Sequence, residues 1–202
     1  YEMQKGEEVY LTGLELLMVM LAGVSLPRPE YNKMMKDLIA ALKANGPRIK
    51  PKVRLLYTGG HADNPEFFEL LQKNDAHVVS DNTGFGTRAA DVLICEDGDP
   101  LEAIINYYFE EKPAATRQMG TQVERMERLL DLVKQYKADG VVASRLYMGD
   151  LWAFEHFLMR KRLHENNVPF LELEVDYTPE GQGQIKTRVQ AFVESLADRQ
   201  TA

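Results

Sequence analysis

The sequence predicts an α/β fold, a Rossmann-like doubly wound parallel sheet of about four strands with a helical N-terminal lead-in. Three observations carry that expectation. From residue 53 to residue 196, short strand-like runs alternate with longer runs of helical periodicity, the order that builds parallel sheets. Runs such as Gly140-Val141-Val142-Ala143 are apolar throughout, as strands covered on both faces are. Finally, 202 residues at 45% hydrophobic content suffice for one well-buried core and are cramped for two.

The elements follow in order. Residues 8–24 read as a buried helix, and the apolar stretch from Leu14 to Val24, which carries Glu15, falls short of the roughly 20 residues of a membrane span. Pro27 and Pro29 break the path before a second helix over residues 28–45, where Met34, Met35, Leu38, Ile39 and Leu42 recur at helical spacing. A strand over 53–58 ends in Thr58-Gly59-Gly60. Then come a helix over 65–73, a strand over 77–80, helices over 100–111 and 121–137, a strand over 141–144, a helix over 151–166, a strand over 170–175 and a helix over 184–196. Residues 91–95 fit a short strand and a loop equally well. The domain plan is a lead-in or linker over 1–50 and the Rossmann-like α/β domain over 51–202. Tyr1 stands where an initiator Met would, so a piece of a longer polypeptide is expected, with no signal-peptide pattern.

Composition narrows the function classes. A formal charge of -7 with dispersed basic residues gives no long-range attraction to nucleic acid or to an anionic membrane surface. The lone cysteine, Cys95, excludes an internal disulfide and a self-contained multi-cysteine metal site and fits a reducing, cytoplasmic compartment. It is expected to be a buried apolar residue. Trp152, Phe154 and Phe157 are expected in the core. No two of the four histidines have zinc-ligand spacing, and no metal site is expected.

In open parallel sheets ligands bind beyond the carboxyl ends of the strands, which selects four loops. The first holds Gly59, Gly60 and His61, a candidate general acid or base that reads equally as a loop histidine capping a turn. The second, Asp81 to Arg88, is the richest: Gly84 and Gly86 let the backbone approach a ligand, while Thr83, Thr87 and Arg88 offer donors to a carboxylate, a phosphate or a thioester carbonyl. The structural alternative is a tight turn whose Arg88 pairs with Asp81 or Asp91. Ser144 and Arg145 begin the third loop. Asp176 and Tyr177 lie in the fourth, where Arg188 from the last helix either pairs with Asp176 or meets a ligand. Gly84-x-Gly86 is too short for a dinucleotide fingerprint and no P-loop occurs, so NAD and ATP have no support.

Several ordered blocks resemble one family. Gly181 to Phe192 (GQGQIKTRVQAF), Asn167 to Tyr177 (NVPFLELEVDY), Ala138 to Val142 (ADGVV) and Asp81 to Arg88 (DNTGFGTR) are similar to the C-terminal half of 2-hydroxyacyl-CoA dehydratase and benzoyl-CoA reductase subunits, over roughly residues 50–197. The resemblance implies heterodimers of Rossmann-like subunits around a 4Fe-4S cluster held by three cysteines, fed single electrons by a separate ATP-dependent activator so that an acyl-CoA becomes a ketyl radical. This chain departs from the pattern. Gly84 stands where the family's Asp-x-x-Cys-x-Gly-x-Arg loop has a cysteine, and the loop from Leu146 to Asp150 has none.

The resemblance therefore implies an acyl-CoA binding subunit, with Gly59, Gly60, Thr83, Gly84, Gly86, Arg88, Ser144, Arg145, Asp176 and Arg188 as substrate-binding candidates. No cofactor is expected on this chain alone, and a 4Fe-4S cluster is expected on a related partner subunit. Two alternatives stay open: a scaffolding or CoA-ester-binding paralogue without redox chemistry, and an unrelated doubly wound binding domain.

Overall fold

The structure is a computed structural model that describes residues 1–60, 65–116, 118, 120–176 and 182–201, with backbone alone at 182, 200 and 201. Four strands, β1 (Val53–Gly59), β2 (Ala76–Asn82), β3 (Gly140–Leu146) and β4 (Phe170–Val175), form one all-parallel sheet in the order β2-β1-β3-β4. The chain moves outward from β1 to β2 and then returns to lay β3 on the other side of β1. The β1/β3 boundary is thus the switch point where such sheets open a crevice.

The helices are α1 (Gly13–Ser25), α2 (Arg28–Asn45), α3 (Pro65–Gln72), the single turn α4 (Thr87–Ala90), α5 (Pro100–Asn106), α6 (Gln122–Gln135), α7 (Asp150–Glu165) and α8 (Gln182–Thr201), and α5 runs on into a π-helical turn, Tyr107–Glu111. Strand side chains alternate between two cores, as a period of two requires. Leu55, Tyr57, Val78, Val142 and Leu173 pack with Leu17 of α1, Phe68 and Leu71 of α3, and Val189, Val193 and Leu196 of α8. Leu56, Val79, Val141 and Ala143 pack with Met126, Leu129, Leu130 and Val133 of α6 and with Met159 and Leu163 of α7. All seven residues of β1 are buried, Arg54 and Thr58 among them, as in a strand covered on both faces. This is the doubly wound Rossmann-like fold that the alternation predicts.

The N-terminal segment and α1 pack onto this sheet. Thr12 and Glu15 close a reciprocal capping box, so α1 starts at Gly13, not at residue 8. Upstream, Val9 forms an isolated antiparallel bridge with Ile49. The buried guanidinium of Arg54 in β1 donates to the carbonyls of Gln4 at 3.1 Å and Glu7 at 3.2 Å. It also donates to Tyr136, at the end of α6, at 2.8 and 3.0 Å. One side chain thereby ties the N-terminal segment, β1 and α6 together, and a cation suits a helix carboxyl end.

One alternative left open by the sequence is decided and two local expectations are corrected. Residues 91–95 form no strand, and Leu93 is 85% exposed. Cys95 is exposed as well, because a stretch carrying Glu96, Asp97 and Asp99 keeps its solvation by staying off the core. On α7, Trp152 packs partly buried against the α6 side, but Phe154 and Phe157 are exposed, since the inward face is taken by Glu155, His156, Met159 and Leu163. Among the described residues, no helix is long and apolar enough to cross a membrane.

Two of those inward residues are polar. Glu155 accepts a bidentate pair from Arg125 of α6, Nε at 2.7 Å and Nη2 at 2.8 Å, and both side chains are buried. Removing either would strand the other's charge. His156 is fully buried, edge-on to Trp152 and Phe170. Its Nδ1 lies 3.4 Å from Glu172 Oε1, and neither ring nitrogen makes a hydrogen bond. Burial holds its pKa below the ordinary histidine value against the opposing pull of Glu172. The unfolded chain therefore takes up this proton first, and stability present near neutrality is lost as pH falls from about 6.5 toward the depressed folded value. Urea unfolding midpoints at pH 7.5 and 5.5 should differ less in His156→Leu than in the parent chain. Half-buried His77, shifted down by its own burial, leaves a residual slope in both.

Candidate functional site

At the switch point, β1 and β3 end side by side. Gly59 has φ +147°, and a Cβ there would lie 2.3 Å from the Ser144 carbonyl oxygen, so the close approach of the two strand ends requires glycine. Gly60 N donates to that carbonyl at 3.3 Å. The Ser144 hydroxyl shares a short hydrogen bond with the Tyr57 hydroxyl inside the sheet. Trp152 closes this corner: a Cβ on Gly60 would meet its indole Nε1 at 3.1 Å. Gly59, Gly60 and Ser144 thus form one wall, with Trp152 as a neighbour that sequence reading assigned to the core alone.

The β2 loop lies beside it, since Thr58 of β1 pairs in register with Asn82. Asp81 organises this loop. Its Oδ1 accepts from Thr83 N at 2.9 Å, Thr83 Oγ1 at 2.8 Å and Thr87 N at 3.1 Å, and its Oδ2 accepts a short bond from the Tyr1 hydroxyl. Burial, with Asp81 alongside, pushes the Tyr1 phenol well above the usual tyrosine range. Thr87 Oγ1 adds a bond to the Asp81 carbonyl at 2.5 Å. Thr83, expected to face a ligand, is 3% exposed and spends its donors on Asp81.

Arg88 pairs with neither Asp81 nor Asp91. Asp91 is bound by Arg128 Nη1 at 2.6 Å. The Arg88 side chain is half-buried, and its Nε is buried without a hydrogen-bond partner. Gly84 is exposed next to it.

The other candidates gather along β4. Arg145 pairs with Glu174 and, at 3.6 Å, with Glu172, while Arg160 of α7 also binds Glu172. Burial pushes the Glu172 carboxyl up, but Arg160 and His156 bring it below the ordinary value. Arg188 reaches β4 at Glu172 and not at Asp176: its Nη2 donates to the Glu172 carbonyl at 2.6 Å. Arg145 and Arg188 thus both make bonds to β4, and Asp176 lies at the end of this strand. His61 and Tyr177 lie outside the described residues.

The strand ends set glycine backbone against an indole, and the β2 loop carries a guanidinium, that of Arg88, without a hydrogen bond among the described residues, features suited to binding a ligand. The arrangement does not suit a thiolate-held cluster. The sequence has one cysteine, its Sγ is exposed 3.8 Å from the Asp97 carbonyl, and no group of three or more His, Cys, Asp or Glu among the described residues could hold a metal ion.

Sequence reading passed over Tyr1, Arg125 and Glu155, whose roles appear only when distant segments meet. The one available signal was Arg125 on the same face as Leu129 and Leu132 in an amphipathic helix. Gly86 is the steric pivot of the β2 loop: a Cβ there would fall 1.7 Å from Asp81 Oδ1. Gly86→Ala should cost about 2–3 kcal/mol in urea unfolding as the loop is forced off Asp81, whereas Gly84→Ala, at an exposed position, should stay within about 0.5 kcal/mol of the parent.

Comparison with known proteins agrees with this fold. The family model described as 2-hydroxyglutaryl-CoA dehydratase, D-component, matches residues 1–196, including the first fifty residues that the motif blocks left out. The (R)-phenyllactyl-CoA dehydratase beta subunit of Clostridium sporogenes is 24% identical over 182 residues, 88% of this chain and 47% of that protein. A benzoyl-CoA reductase subunit of Thauera aromatica is 21% identical over 199 residues, 97% of this chain and 52% of that protein. Lactoyl-CoA dehydratase subunit beta of Anaerotignum propionicum is 24% identical over 170 residues, 84% and 45% respectively. The chain spans about half the length of these relatives. With a family match over nearly its whole length, the chain belongs to the 2-hydroxyglutaryl-CoA dehydratase D-component family.

Proposed function

We propose that this chain serves in a complex of the 2-hydroxyacyl-CoA dehydratase or benzoyl-CoA reductase type, shaping the acyl-CoA cleft or the subunit interface while a related partner carries the 4Fe-4S cluster. The observation that carries this reading is the convergence of the Gly59-Gly60, Asp81–Arg88 and Ser144 loops on one end of the sheet, in a chain with a single, exposed cysteine. Open parallel sheets take ligands at this end, and a long thioester arm laid across the strand ends fits that rule. The cluster, where the partner holds it, supplies electrons. This chain's own residues bind, orient and exclude water.

Exposed apolar residues support a subunit role. Leu101, Ile104, Ile105, Tyr108 and Phe109 extend from α5 into the π-helical turn, and Leu151, Phe154 and Phe157 follow on α7. Patches of this kind mark protein contacts. Electron delivery to the partner's cluster by an ATP-dependent activator belongs to the same proposal. A second reading, a CoA-ester-binding or scaffolding protein without redox chemistry, draws on the same lone cysteine.

Iron and acid-labile sulfide separate the two. Purified without oxygen, this chain alone should carry neither. Co-purified with a related subunit encoded beside it, the complex should carry both at cluster stoichiometry. Absence of iron in the complex would favour the scaffold reading, and iron on the isolated chain would overturn both.

A further inference from the structure

Arg88 is embedded in a group of three guanidiniums, its own and those of Arg125 and Arg128, facing three carboxylates, those of Asp81, Asp91 and Glu155. The charges balance, so what distinguishes Arg88 is its hydrogen bonding. Glu155 gives both oxygens to Arg125. Asp91 is bound by Arg128, and Asp81 is filled by Thr83, Thr87 and Tyr1. Among the described residues Arg88 makes no hydrogen bond, and its Nε is buried without an acceptor. Leaving a half-buried guanidinium unmatched costs free energy that an anion would recover. Burial lowers the pKa of Arg88, the direction expected when solvation is lost and no direct partner replaces it.

An opening exists on one side. Gly84 is exposed, and a Cβ built on it would meet a single neighbour within 4 Å, Arg88 Nη2 at 3.3 Å. Apart from the guanidinium nothing crowds that position, so Arg88 is open to an oxyanion from the Gly84 side. The planar fork of arginine binds both in bidentate fashion. We propose that Arg88 and the space at Gly84 form a binding site for a small oxyanion, a carboxylate or a phosphate group, at the mouth of the strand-end crevice. It rests on the cleft assignment above only for which ligand brings the anion, a carboxylated acyl group or the phosphates of CoA.

The test is nitrogen-15 NMR of the Arg88 Nε–Hε resonance, assigned by its loss in Arg88→Lys. The chain is titrated with inorganic phosphate and, separately, with glutarate at constant ionic strength. A saturable shift confined to Arg88 and the amides of Thr83, Gly84 and Thr87 is expected with at least one of them, and which one saturates at lower concentration identifies the source. Gly84→Asp places a carboxylate in the same space, so it should abolish the saturable shift and raise the melting midpoint by about 2–4 °C.

A non-saturating drift shared by all arginines would mean an adventitious ion only and would overturn the site. So would a folded Gly84→Asp chain that still titrates like the parent. Should that variant not fold, titration of Arg88→Lys decides: the amide shifts should weaken at least tenfold, and unchanged amide shifts would overturn the site. Acetyl-CoA binding is measured in parallel. Binding with Arg88 silent to every anion would remove the oxyanion site and keep the cleft, whereas saturation by glutarate without acetyl-CoA binding would do the reverse.

Discussion

The carboxylate of Asp81 is the constraint on which the candidate site depends. It sits in β2 near its carboxyl end, 8% exposed, and a buried carboxylate is tolerated only where donors replace its lost water. Here two backbone amides and two hydroxyls do so, from Thr83, Thr87 and Tyr1. The loop wraps around the charge because the charge must be wrapped, and Gly86 is the residue without a side chain in the way. Asp81 is compensated without Arg88. Satisfaction of one ion thus leaves the other open.

The same logic joins the N-terminal segment to the domain. Tyr1 is held by Asp81, and the carbonyls of Gln4 and Glu7 are held by Arg54 from the middle of the sheet. Leu17 of α1 completes the core over β1 and β2. In contrast, α2 buries none of its residues, although its helical spacing is among the clearest in the chain. Periodicity sets the conformation of α2, whereas contact with the sheet sets the position of α1.

What was legible in the sequence follows from what is local. Strands β1 and β3 show because apolar residues on consecutive positions serve two cores at once, β4 because Leu171 and Leu173 alternate with Glu172 and Glu174, and the glycines after β1 because a tight strand end permits little else. The partner of an arginine is not local. On spacing alone Arg188 suits Asp176, twelve residues away, or a ligand, but the turn of α8 directs it to the Glu172 carbonyl; Arg88 suits Asp81, Asp91 or a ligand, but Asp81 is held by Thr83, Thr87 and Tyr1 and Asp91 by Arg128. Phe154 and Phe157 mislead for a related reason: aromatic residues on a helix mark an apolar face, yet α7 directs a buried ion pair and an imidazole inward. Cys95 follows its acidic neighbours into solvent.

One contact has a meaning for the protein's behaviour in a crowded solution. β4 is an outer strand of the sheet, and an outer strand with free carbonyls is a template on which another chain can lay itself. The Glu172 carbonyl is already bonded to Arg188, and the neighbouring side chains of Glu172 and Glu174 are charged and tied to Arg145. An incoming strand would have to displace a cation and then lie against carboxylates, so this margin of the sheet is defended against fibril-like stacking by the same arginine that seats the last helix.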